Sequence, residues 1–201
     1  PGKWIEIAEG ALRGDPGALD QVGRAFYLGD PDWPRDLVLS LAHECARATA
    51  RYWELRARGL PKEDARYVLP QASTTKVVVT MNARELLHFL GLRMCTHAQA
   101  ELRIVAWLLR EELVKVHGRL FKYAGPYCLI DNSLHSKEPA TLEDLLEGKA
   151  AWGIERCREL VPREGIRSCV LASLSLYDKF RSRRPAPPPT PQPQDCAFGF
   201  C

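Results

Sequence analysis

A mixed α+β fold, a sheet flanked by helices, is the architecture this sequence predicts, and three patterns carry it. Helical periodicity runs through residues 35–58 and again through 98–116, and between them a short run of Val77, Val78, Val79 and Thr80 changes the period. β-branched side chains suit a pleated backbone, and a run this short reads as a buried strand. The chain has 201 residues, 46% hydrophobic and 26% charged, enough for one sizeable core or a core with appendages.

The elements follow in order. Residues 1–34 are poorly patterned, with Gly10, Gly14, Asp15, Pro16, Gly17, Gly29, Asp30, Pro31 and Pro34 punctuating short helical stretches. A helix is expected from Arg35 to Arg58, stopped by Gly59. Leu60-Pro61 opens a short helix with proline in its first turn, running to Pro70. The strand spans Thr74 to Met81, after which Asn82 caps a helix that stops near Gly91, with Glu85 completing a capping box. Thr96 to Gln99 forms a second box, opening a long helix with one apolar stripe of Ala98, Leu102, Val105, Leu109, Leu113 and Val116. Thr141 to Asp144 is a third box, starting a helix that ends around Leu160, and Cys169–Phe180 reads as one more. Beyond Arg183 the proline-rich run reads as a disordered, polyproline-like tail. The expected division is 1–34 as a leading segment, 35–165 as the main domain, 166–183 as a terminal helix and 184–201 as tail.

Charge and cysteine usage exclude several classes. A net charge of +3, with Lys and Arg interleaved among acids as in Arg110-Glu111-Glu112, gives no basic stripe for nucleic acid. No apolar run approaches the roughly 18–20 residues that span a bilayer, and no secretory signal opens the chain. These features predict a cytoplasmic protein. Its seven cysteines are odd in number, show no metal-ligand spacing and read as reduced thiols, so no metal is expected.

Chemistry concentrates between Ala65 and Arg103. Arg66 precedes a buried-looking turn, Arg84 lies in the first turn after the expected strand, and Arg93 lies just beyond the same helix. A helix N-terminus offers free backbone N–H groups to an anion, and guanidinium forks bind phosphate and planar rings bidentately. The alternative is three solvated arginines on helix ends.

The string from Ala65-Arg66-Tyr67-Val68-Leu69-Pro70 through Thr74, Asn82-Ala83-Arg84-Glu85-Leu86, His88-Phe89-Leu90, Leu92-Arg93 and His97-Ala98-Gln99 to Glu101 resembles the C-terminal signature of flavin-dependent thymidylate synthases. Tyr52-Trp53-Glu54-Leu55 and Gly59-Leu60-Pro61 resemble its lead-in. The resemblance covers about Ala46 to Tyr127. It implies reductive methylation of dUMP to dTMP, with carbon from methylenetetrahydrofolate and hydride from NADPH through FAD, in a homotetramer whose active sites are shared between subunits. It assigns Arg66 to the dUMP phosphate and Asn82, Arg84 and His88 to the flavin nucleotide. Arg93 is assigned to the uracil edge, where its charge favours ionisation of the ring and makes C5 electron-rich. It also implies that no cysteine attacks the base, so Cys95 is expected to be a plain buried thiol. His97, Gln99 and Glu101 either hydrogen-bond around the site or cap the long helix.

The family's upstream signature, of the form RHRxxSxNExSxRY, is absent, and the first residue is Pro1 rather than Met. The expectation is a sequence lacking its N-terminal half. The other readings are a non-catalytic nucleotide-binding or assembly paralogue, a shortened active enzyme, and a nucleic-acid-binding module using the same arginines.

Overall fold

Small side chains let the helices at the start of the chain approach closely. Here α1 (Gly2–Arg13), α2 (Pro16–Ala25) and α3 (Arg35–Ala57) bury Ile7, Ala8, Ala11, Val22, Ala42 and Ala46 in one cluster. Asp15 starts α2 by accepting the Ala18 N–H at 2.7 Å, and Gly59, with φ of 92°, takes the chain out of α3 in the left-handed region. A short α4 (Lys62–Ala65) follows and tightens into a 3₁₀ turn over Arg66–Val68. The computed structural model describes residues 2–29, 32–135 and 139–183. The proline-rich run expected at 184–201, with Cys196 and Cys201, lies outside the described residues. Two compact units divide the chain, one ending at Thr80 and the other starting at Met81, each with its own core.

The expected sheet is not formed, and the fold among the described residues is helical rather than α+β. Two isolated bridges, Phe26 with Ser73 and Arg156 with Pro162, are the β-pairing present there. The reason is visible at the intended strand. Tyr27 N donates to Ala72 O and Thr74 N to Ala25 O, both at 2.8 Å, and the pairing then ends because residues 24–27 lead out of a helix and offer no longer edge. Val77, Val78 and Val79 are 77%, 100% and 56% exposed. β-branched residues favour strands by packing on a half-buried pleated surface; here no such surface reaches them.

In the second unit, α5 (Ala83–Arg93), α6 (Ala100–Phe121), α7 (Tyr127–His135), α8 (Leu142–Leu146) and α9 (Arg163–Arg183) enclose Leu90, Met94, Trp107, Leu129, Ile166 and Val170. One buried hydroxyl joins three of these elements. Ser173 Oγ accepts from Trp107 Nε1 at 3.1 Å and donates to Met94 O at 2.6 Å. Trp107 stacks on Tyr177, with centroids 6.0 Å apart and planes 19° from parallel, and the Tyr177 hydroxyl donates to Glu111. Buried Arg110 donates through Nε to Ala124 O at 2.7 Å and pairs with Glu143 at 3.1 Å, tying the end of α6 to α8.

These contacts move several expected elements. α6 starts at Ala100, not at Thr96, and Gln99 caps it without a side-chain hydrogen bond; Thr96 Oγ1 instead lies 2.9 Å from Cys169 Sγ. Val105 and Val116 of the expected stripe are 45% and 83% exposed, because Ile104, Trp107 and Arg110 take the buried face. A backbone break at His117, φ −144° and ψ 65°, ends the regular part of α6. The capping box at Thr141 is formed with Asp144, but α8 stops at Leu146 and Gly148 turns the chain with φ of 76°.

Removing the buried hydroxyl in Ser173→Ala leaves the Trp107 N–H and the Met94 carbonyl without partners, at a cost of about 1–3 kcal/mol. Denaturant unfolding of the variant should show a lower midpoint at unchanged slope. Tyr177 supplies a second expectation. Burial, aided by its hydrogen bond to Glu111, pushes its phenol up to about 12, against about 10 in an unfolded chain. The stability it contributes is therefore complete below about pH 10 and lost as pH rises through about 12. Unfolding measured across that window should steepen with pH, and Tyr177→Phe should flatten the fall.

Candidate active site

Asn82 starts α5 because its short amide reaches back: Oδ1 accepts the Glu85 N–H at 3.0 Å. That use leaves the amide N–H₂ of Asn82 free to face outward. Arg84, in the first turn, is exposed and makes no ion pair or hydrogen bond among the described residues. His88 stands one helical turn beyond Arg84, and Arg93 is the last residue of the helix, about 14 Å from Arg84 along the axis; both line one cavity of about 320 Å³.

The cavity is walled by the loop at Cys95–Ala98, the turn at Pro126–Cys128, the turn at Cys157–Val161 and the first part of α9. Its floor is apolar, with Met94, Ile166 and Val170 buried in the core beneath it. Arg93, exposed at its rim, has no ion-pair partner among the described residues. Of the five residues the sequence singles out, His88 and Arg93 therefore share the cavity, while Asn82 and Arg84, at the start of α5, do not line it. Arg66 belongs to the first unit, in the 3₁₀ turn after α4, where its side chain is exposed.

Four thiols, Cys95, Cys128, Cys157 and Cys169, also line the cavity. Burial pushes Cys128 up to about 12 and raises Cys95, so both stay protonated and weakly nucleophilic at neutral pH. His97 Nδ1 stands 3.5 Å from Glu159, an ion pair only when the imidazole is protonated. Gln99 and Glu101 are exposed and do not reach the cavity.

Tyr127, Asp131 and Arg158 are the residues sequence reasoning missed. The Tyr127 hydroxyl meets His88 Nδ1. Arg158 lies over the Tyr127 ring, its Cζ 3.8 Å from the centroid, and binds Asp131 through two bonds of 2.8 and 2.7 Å. Their separations of 27 to 39 residues carry no local signal; the one legible hint is that Tyr127 and Asp131 stand four apart, on one helix face.

Residues 18–118 match the family model described as thymidylate synthase complementing protein. The chain is 47% identical over 133 residues to the flavin-dependent thymidylate synthase of Saccharolobus solfataricus, covering 65% of this chain and 51% of that relative. To the protein of the same name from Sulfolobus acidocaldarius it is 48% identical over 125 residues, 62% of this chain and 47% of the relative. A stretch of 76 residues is 64% identical to the one from Thermococcus kodakarensis, 36% of this chain and 31% of the relative. The chain spans about half the length of the first two relatives. Tyr127, Asp131 and Arg158 lie beyond the segment that the family model matches.

The turn that brings Arg158 to the cavity contains a strained residue. Leu160 has φ of 61° and is 69% exposed; its N–H donates to Cys157 O at 3.0 Å and closes the turn. A leucine in the left-handed region costs about 1–2 kcal/mol, part of which glycine returns as unfolded-state entropy. Leu160→Gly should therefore stabilise the protein by about 0.5–1 kcal/mol, read as an increase in thermal midpoint.

Proposed function

The chain belongs to the thymidylate synthase complementing protein family, and from that premise we propose that it carries part of the active site of a flavin-dependent thymidylate synthase. The reaction is the reductive methylation of dUMP to dTMP, with methylenetetrahydrofolate as carbon donor and NADPH as hydride source. The observation that carries the reading is that His88 and Arg93, five residues apart on α5, line the same apolar-floored cavity. A guanidinium beside an apolar pocket suits a planar ring that must hold negative charge, since the dry wall strengthens the charge's effect.

Arg93 binds the uracil edge and stabilises the anion that makes C5 nucleophilic. Arg66, exposed after α4, takes the phosphate end of dUMP. The residues present fit one edge of FAD: the outward amide of Asn82, the exposed guanidinium of Arg84 and the free N–H groups of the first turn of α5 suit its anionic part. His88 stands at the ring end. When bound, FAD supplies the hydride-transfer chemistry; the chain's own residues bind, orient and set charge. The protonated thiols of Cys95 and Cys128 accord with a reaction in which no cysteine attacks the base. The active sites are shared between subunits of a homotetramer, in the cytoplasm.

Two alanine variants separate the roles in the complete enzyme. Arg93→Ala removes a contact that strengthens as the ring becomes anionic, so kcat should fall about 10²–10³-fold with KM for dUMP little changed. Arg66→Ala removes a phosphate contact made equally before and during reaction, so KM should rise with kcat retained. Steady-state kinetics would reject the assigned role of Arg93 if its loss raised KM alone.

A further inference from the structure

We infer that Tyr127 is a positioning residue for His88: its phenol O–H donates to Nδ1, fixing the imidazole as the Nε2–H tautomer and aiming a neutral donor at the acceptor edge of a bound ring. The step from tautomer to ring contact rests on the flavin reading above.

The geometry leaves Tyr127 little freedom. On one face of its ring lies Gly91, where an added Cβ would stand 3.1 Å from three ring carbons. A side chain there would push the ring back by a few tenths of an ångström. Over the ring lies the Arg158 guanidinium, its Cζ 3.8 Å from the centroid. Arg158 is itself held by the bidentate pair with Asp131, whose side chain is only 15% exposed. Asp131 stands one helical turn after Tyr127 on α7, so a single guanidinium spans both. Ring, cation and carboxylate form one clamp, and its open end is the hydroxyl at His88.

Direction follows from the charge. A cation on the face of a phenol draws electron density from the ring, making the hydroxyl a better donor and its oxygen a poorer acceptor. Between Tyr127 and His88 the proton therefore sits on the phenol oxygen, and Nδ1 accepts. A neutral imidazole has one donor and one acceptor nitrogen, so acceptance at Nδ1 places the hydrogen on Nε2, which has no partner among the described residues. The same logic orients histidines at metal sites, where the hydrogen bond at one nitrogen decides what the other offers.

The test is the nitrogen chemical shifts of His88 in the 15N-labelled chain, assigned with His88→Gln. The expected result is one fixed tautomer, with an acceptor-type Nδ1 and a protonated Nε2. Tyr127→Phe keeps the ring, the Gly91 contact and the Arg158 stack but removes the hydroxyl; both nitrogen shifts should then move to averaged values. Asp131→Asn loosens Arg158 and should give an intermediate shift, and it decides the matter if Tyr127→Phe fails to fold. A protonated Nδ1 in the parent chain, or unchanged shifts in both variants, would overturn the assignment. Titration with FAD runs alongside: Tyr127→Phe should weaken binding several-fold, whereas equal binding with the tautomer released would overturn the ring contact. If the parent chain showed a fixed tautomer and no FAD binding, the tautomer assignment would stand and the flavin reading would fail.

Discussion

The second unit depends on one buried hydroxyl. Ser173 accepts the indole N–H of Trp107 and donates to the carbonyl of Met94, the residue that follows Arg93 at the end of α5. Both of those groups are out of reach of water, so each would be expensive to leave unmade. Three helices are thereby held at one point, and the point lies beside the cavity. The Trp107–Tyr177 stack and the Tyr177–Glu111 hydrogen bond extend the same seam along α6 and α9.

Arg110, one turn after Trp107 in the middle of α6, fixes the segment that follows the helix. Its guanidinium is nearly buried, and it satisfies the carbonyl of Ala124 while pairing with Glu143. This matters for the site because Ala124 leads directly into Pro126 and Tyr127. A buried arginine thus fixes where α7 begins, and the start of α7 fixes the ring that meets His88. Position at the candidate active site is carried by packing from residues that never face the cavity.

The clamp on Tyr127 is built from parts with different origins in the chain: a glycine in α5, a tyrosine and an aspartate in α7, and an arginine from a turn closed by a leucine at positive φ. The family match ends at residue 118, before the last three of these. Arg93 and His88 belong to the matched segment, whereas much of the wall around them belongs to the later one.

What the sequence determined alone is local. Asn82 can start a helix because its amide reaches the Glu85 N–H three residues on, Thr141 and Asp144 can close a capping box, and Gly59 can end α3 because only glycine takes its positive φ freely. The signature from Ala65 to Glu101 was legible for the same reason, since its spacing is written in the chain and led to the family. The expected sheet does not form because a strand is a property of two segments: Val77 to Val79 have the propensity, but pairing stops at Thr74. The buried face of α6 departs from the periodic stripe because Trp107 and Arg110 find partners 14 to 66 residues away, and those partners, not periodicity alone, set the helix's rotation. The tertiary structure also decided which signature residues meet. His88 and Arg93 share a cavity that opens toward the C-terminal part of α5, and Asn82 and Arg84, in its first turn, do not line it.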